Sequence, residues 1–203
     1  MKKCILALLM MLTVVPVAHA SVVININQVG SDVTASYSNG SLNLGALGSP
    51  STSGGFFTFI TPSASVFALG STGSLYTQYT LASGSITSPT DFGPGSFTQS
   101  NASAGSALGV SPSSNNLYVP AGYTSGAADL TGGNTWSNKN YSDLGLTTGT
   151  YTWSWGTGGA ADFITMNVNA VPEPSTYALL CISLGVVGFA RRNLRKTSEE
   201  LSA

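Results

Sequence analysis

Gly149-Thr-Tyr-Thr-Trp-Ser-Trp-Gly156 decides the fold. Tyr151, Trp153 and Trp155 fall on one side of an extended chain, with Thr152 and Ser154 on the other. A two-residue period of this kind marks a strand with one face buried. A helix would scatter the same rings around its axis. Gly156-Thr-Gly-Gly159 then turns the chain, and residues 162–168 return with Ile164, Met166 and Val168 on one face. The same alternation occurs where the region opens. Val22, Ile24 and Ile26 oppose Asn25 and Asn27; after the turn signal Gly30-Ser31-Asp32, Val33, Ala35 and Tyr37 repeat it. These two segments predict a hairpin.

Further strands are expected at Leu42 and Leu44, at residues 56–60, 74–81 and 116–119, and at Thr135-Trp136, each set off by Gly, Pro, Asn or Ser. One helical turn is expected at residues 142–146. Residues 82–116, richest in Gly, Ser and Pro, read as long loops with one strand near 92–97. Seven to ten short strands across residues 21–170 predict a single all-β domain, an antiparallel β-sandwich or jelly roll. The region holds 45 Ser and Thr and 22 Gly in 150 residues, a composition compatible with disorder. Its spaced aromatics and small net charge argue instead for a packed core. So few charges leave little defence against edge-to-edge pairing, so covered edges or self-association are expected.

Charge removes whole classes of function. The 203 residues include 7 Lys and Arg and 8 Asp and Glu. Six of those cations are terminal: Lys2, Lys3, Arg191, Arg192, Arg195 and Lys196. Between residues 21 and 170 the only ionised groups are Asp32, Asp91, Asp129, Asp143, Asp162 and Lys139. A nucleic-acid partner needs clustered Lys and Arg to displace counterions, and this region has none to offer. The reactive inventory is equally thin. The only His is His19 and the only cysteines are Cys4 and Cys181, all in the terminal segments. Without His, Cys, Glu or Arg, residues 21–170 hold no Ser-His-Asp or Cys-His nucleophile, no His or Cys zinc site and no disulfide. We expect no catalytic residue, no bound metal, no cofactor and no enzymatic activity. Two of the five aspartates could serve as glycosidase carboxyls or as calcium ligands. Each has a plainer role in a turn: Asp32 follows Gly30-Ser31, and Asp162 follows Gly158-Gly159.

The two ends read as targeting segments. Residues 1–20 have the three parts of a secretory signal peptide: Lys2-Lys3, an apolar run of about 14 residues, and Ala18-His19-Ala20 as the cleavage site. That run is short of the ~20 residues a membrane span needs. Cleavage would leave Ser21 as the mature N-terminus. At the other end comes Val171-Pro172-Glu173-Pro174-Ser175, then an uncharged, mostly apolar segment at residues 176–190, then the basic cluster Arg191, Arg192, Arg195 and Lys196. The prolines lack N–H donors and stop whatever structure precedes them. As a helix, residues 176–190 reach about 22 Å, short of a ~30 Å hydrocarbon core. The basic cluster after them should stay cytoplasmic, with residues 197–203 as a cytoplasmic tail and residues 21–170 exported.

This end resembles the PEP-CTERM sorting signal in the order of its parts: the motif at 171–175, the short helix at 176–190 and the basic tail, together residues 171–196. The resemblance implies recognition and processing by a membrane enzyme of the exosortase type. It also implies delivery to the surface or extracellular matrix of a Gram-negative bacterium that makes exopolysaccharide. Before processing, the helix would anchor the chain in the membrane. A permanent single-pass anchor is the competing reading of the same segment.

The aromatic residues admit two readings. Tyr151, Trp153 and Trp155 could form an exposed platform for stacking a saccharide ring, with Trp136, Tyr118, Tyr123 and Tyr141 elsewhere. Alternatively the tryptophan face packs against a second sheet as core, which a domain this poor in Leu and Ile needs. The leading expectation is a non-enzymatic surface or matrix protein. The alternative is a carbohydrate-binding module gripping matrix polysaccharide through exposed aromatics.

Overall fold

The computed structural model describes residues 21–81 and 86–169. The signal peptide expected at 1–20, with its cleavage residues Ala18 and Ala20, lies outside the described residues. So do the motif, helix, basic cluster and tail expected at 171–203.

Alternation is realised first in the opening hairpin. β1 (Ser21–Val29) buries Val22, Ile24 and Ile26, and β2 (Asp32–Gly40) buries Val33, Ala35 and Tyr37. The two pair antiparallel, with Val29 opposite Asp32 across a turn in which Gly30 takes φ +61°. The closing hairpin behaves likewise. β12 (Gly149–Trp155) and β13 (Asp162–Val168) pair antiparallel and bury Trp153, Trp155, Ile164, Met166 and Val168.

β8 (Ala102–Gly105) and β11 (Leu130–Trp136) complete the first sheet, whose order is β12-β13-β1-β2-β11-β8. The second sheet draws on β3 (Pro50–Ser53), β4 (Phe59–Thr61), β5 (Val66–Leu69), β6 (Tyr76–Thr80), β7 (Thr98–Gln99), β9 (Leu108–Ser111) and β10 (Asn116–Pro120). Its order is β3-β6-β10-β9-β5-β4-β7. One helical turn, α1 (Tyr141–Leu144), is closed by a capping box between Asn140 and Asp143. The fold of the described residues is therefore all-β, in two sheets.

Three expectations are corrected. The strand pairing is not wholly antiparallel: β1 and β13 run parallel, from Ser21 beside Phe163 to Ile26 beside Val168. Parallel neighbours need a long crossover, and here everything from β2 to β12 lies between them. Alternation marks faces and carries no information on strand direction. Second, residues 92–94 form a bend and 95–97 are irregular, with the strand at Thr98–Gln99, and the supposed loop region also contains β8 and β9. All three are short; β7 and β8 are built of Thr, Gln, Ala, Ser and Gly and lack the apolar period, while β9 carries it only in Leu108 and Val110. Third, Leu42 and Leu44 lie in irregular chain. Their N–H groups donate to the Tyr123 hydroxyl (2.7 Å) and to Ser125 Oγ (2.9 Å), which replaces a strand ladder.

The inner faces of the two sheets meet in one core. Phe67 of β5 meets Trp153 of β12 edge-on, with ring centroids 5.0 Å apart. All three tryptophans give their indole N–H to backbone carbonyls: Trp136 to Thr98 (3.2 Å), Trp153 to Ser65 (3.0 Å) and Trp155 to Asn43 (3.3 Å). The first two of these bonds run from the first sheet to elements of the second. A buried Asn134 on β11 adds a third link. Its Oδ1 accepts from Gly70 N (2.8 Å) and its Nδ2 donates to Gly70 O (3.3 Å), just past β5. Tyr37 lies across Gly132, where a Cβ would come within 2.5 Å of the phenol oxygen, and donates to the Ser106 carbonyl. Burial pushes its phenol well above the usual tyrosine range. At the outer edge of the first sheet, Ser154 exchanges backbone bonds of 2.8 and 2.9 Å with Thr87, so that edge is covered at one point.

Candidate functional site

The structure settles where the expected aromatic platform lies. Trp153 is 0% exposed and Trp155 is buried beside it. Tyr151 is half-buried: its ring packs 6.0 Å from Phe92, and its hydroxyl donates to Thr147 O (2.9 Å). Burial and the Asp91 carboxylate both raise the Tyr151 phenol. Trp136 and Tyr141 are also buried, and the Tyr141 hydroxyl donates to Ile26 O (2.9 Å). Tyr123 is held by Leu42 N and donates to Ala127 O (2.8 Å). These rings are engaged by the fold, so a sugar ring has no open face of Trp153 or Trp155 to stack on.

Another aromatic group is open to solvent, on the outer face of the second sheet. Its origin is a repeated turn. Thr61-Pro62-Ser63 joins β4 to β5, and Ser111-Pro112-Ser113 joins β9 to β10. Each proline starts a single 3-10 turn that ends in a left-handed residue, Ser65 (φ 57°) or Asn115 (φ 52°). The cap N–H returns to the proline carbonyl in both cases, at 3.1 and 3.0 Å. The two hairpins lie side by side through β5 and β9, and the register aligns Tyr118, Gly109, Ala68 and Phe59 across four strands. Aromatic, small, small, aromatic: the pattern leaves a depression between two ring walls.

Phe56 enters this depression from the β3–β4 loop and packs on Ala68 and Ala107. It lies 5.3 Å from the Tyr76 ring and 6.4 Å from the Tyr118 ring, and Tyr76 meets Tyr118 at 5.7 Å. On the far wall Phe59 meets Phe97 at 4.8 Å. What remains is an open cleft of about 190 Å³ whose walls include Phe56, Phe57, Phe59, Tyr76, Ser111 and Tyr118. Phe57 is 64% exposed and Phe97 is 59% exposed. No ionised side chain lines the cleft. Sequence reasoning named Tyr118 and missed the other rings. The signal that could have found them is the doubled Pro-Ser turn, which sets Phe59 and Tyr118 in corresponding hairpins.

Four of the five aspartates hold backbone. Asp32 accepts from Asn138 N (2.8 Å), Asp91 from Gly93 N (3.2 Å) and Asp143 from Asn140 N (2.9 Å). Buried Asp162 accepts from Asn43 N and Phe163 N, tying the loop after β2 to the start of β13. Among the described residues no three His, Cys, Asp or Glu side chains gather as a metal site would require.

Comparison with known proteins bears on the C-terminal segment. No curated protein matches this chain, and no solved structure does. A family model described as the PEP-CTERM protein-sorting motif matches residues 170–196. The match spans the Pro-Glu-Pro motif at 171–175, the apolar segment at 176–190 and the basic cluster ending at Lys196. It implies export and a C-terminal membrane anchor before an exosortase acts. The chain carries, at its C-terminal end, a PEP-CTERM protein-sorting motif.

Proposed function

We propose that this chain is a non-enzymatic surface or matrix protein with a sandwich-type domain that is sorted, not catalytic. Export begins with removal of residues 1–20 after Ala20. The segment at 176–190 then holds the chain in the membrane until an exosortase-type enzyme cuts within 171–175. The released domain associates with exopolysaccharide outside a Gram-negative cell. The observation that carries this reading is the match of residues 170–196 to the sorting motif.

The domain suits processing at both ends. Ser21 is already paired with Phe163 in β1, so a cut after Ala20 leaves that ladder whole. The last strand ends at Val168, and Asn169 N donates to Ile26 O (3.0 Å). A cut within 171–175 therefore leaves every described strand and core residue in place. Supporting the non-enzymatic part are the missing His, Cys, Glu and Arg of residues 21–170 and the structural work of Asp32, Asp91, Asp143 and Asp162.

The test is delivery in cells with and without the processing enzyme. With it, the domain is expected at the surface or in the matrix; without it, the chain accumulates in the membrane fraction. Replacing Pro172, Glu173 and Pro174 together with alanine should reproduce the second outcome. Equal surface release in all three cases would overturn the reading.

A further inference from the structure

We propose that the cleft between Tyr118 and Phe59, on the outer face of the second sheet, binds the ring of a neutral saccharide. Its surface offers what such a ring requires and lacks what would select another ligand. Sugar rings present polarised C–H groups on their faces and hydroxyls around their edges. Aromatic rings carry negative charge density on their faces, which attracts those C–H groups. Tyr76, Tyr118 and Phe59 stand on the outer face of the sheet beside the opening.

The hydroxyls of a sugar need neutral donors and acceptors, and Ser111 in the lining and the strands beside Tyr118 carry them. Asn116 Nδ2 donates to the Tyr118 hydroxyl (3.4 Å), and Asn116 Oδ1 accepts from Thr80 Oγ1 (2.9 Å). Gln78 Nε2 continues this ladder to Thr80 Oγ1 (3.5 Å), and Ser111 lines the cleft itself. Amides and hydroxyls of this kind can donate and accept at once, which matches hydroxyl-rich ligands. Three facts select the occupant. No carboxylate or cation lines the site, so nothing would compensate a charged sugar, a phosphate or an acidic peptide. A lipid surface would find no basic residue beside the exposed rings. The volume of about 190 Å³ is below the ~300–1,000 Å³ of pockets that enclose a drug-sized ligand, so it suits one ring of a longer chain.

This inference rests on the matrix-association part of the reading above for its biological ligand, but not on the sorting step. The experiment uses the full chain purified in mild detergent and run through native gels containing hydroxyethylcellulose, laminarin, dextran or galactomannan, with alginate as the acidic comparison. Retardation by at least one neutral polymer is expected, with none by alginate. Tyr118→Ala and Phe59→Ala should weaken that retardation about tenfold, the effect of losing a stacked ring. Phe97→Ala, at a side chain 59% exposed, should weaken it less while leaving the melting temperature close to the parent value. It serves if Tyr118→Ala or Phe59→Ala fails to fold. No retardation by any neutral polymer overturns the proposal, as does retardation unchanged in the variants or seen only with alginate. A change in oligomeric state on Phe97→Ala without any change in retardation also overturns it, since the face would then be a contact between copies. Normal surface release with no sugar retention would sink the cleft and leave the sorting reading standing.

Discussion

The two sheets present different faces to the outside, although both obey the same alternation. On the first sheet most outward residues are polar and several pair with one another, beside the isolated exposed side chains Val23 and Val29. Thr150 Oγ1 donates to Asn167 Oδ1 (3.0 Å), Asn167 Nδ2 to Asn25 Oδ1 (3.3 Å), and Asn169 Nδ2 to Asn27 Oδ1 (2.9 Å). Such cross-strand pairs stabilise a solvated sheet face by a few tenths of a kcal/mol up to ~1 kcal/mol each. On the second sheet the outward residues at the centre are Phe59, Tyr76 and Tyr118, which meet Phe97, Phe56 and each other at 4.8–6.4 Å. On the first face these amides and hydroxyls satisfy one another. The second keeps apolar surface exposed, which costs solubility and adds little to the core. Alternation therefore says which residues share a face; what that face meets depends on how the sheets stack.

Substitutions can sharpen this contrast, since inward and outward rings of similar chemistry should behave differently. The largest effect is expected at Trp153. Trp153→Ala removes a 0% exposed ring and its bond to Ser65 O, and should cost ~3–5 kcal/mol in a denaturant titration. Next comes Asn134→Ala, which strands the Gly70 N–H and C=O between the sheets and should cost ~2–3 kcal/mol by the same measurement. Tyr37→Phe should cost ~1 kcal/mol at neutral pH through the lost bond to Ser106 O. It should also change the alkaline limb. The buried Tyr37 phenol holds its proton more tightly in the folded state than in the unfolded one, because desolvation disfavours its anion. Its contribution is therefore full below the ordinary phenol value of about 10 and is lost as pH climbs above it. The parent protein should lose stability steadily above that pH, and the Tyr37→Phe variant less steeply. The smallest effect is expected outside. Phe97→Ala should change stability by only ~0.5 kcal/mol, since it removes one exposed ring contact. A cost at Phe97 as large as that at Trp153 would erase the distinction between the two faces.

Much of the first sheet was legible from residues alone. Val22, Ile24 and Ile26, Val33, Ala35 and Tyr37, and Ile164, Met166 and Val168 all fall on the buried side that their spacing predicts. The α-helical turn falls where Asn140 and Asp143 can cap it. The second sheet was less legible because its strands are short and carry Ala, Gly, Ser and Thr at positions that pack on neighbouring backbone. Gly109, for example, lies under the Tyr118 ring, where a Cβ would sit 3.2 Å from Tyr118 Cδ2. Such a residue reads as loop until its partner strand is known. The parallel pairing of β1 with β13 was hidden for another reason: it joins the two ends of the domain, and no local pattern records it. The aromatic cleft was missed because its rings come from loops and strands distant in sequence, from Phe56 to Tyr118. The C-terminal sorting motif was legible because its parts are read in sequence order.

Intact-mass measurement of the form recovered from the cell surface tests the central claim most directly. Delivery and processing predict a chain that begins at Ser21 and ends within residues 171–175, without Arg191, Arg192, Arg195 or Lys196. A surface form whose mass still includes that basic cluster would contradict it.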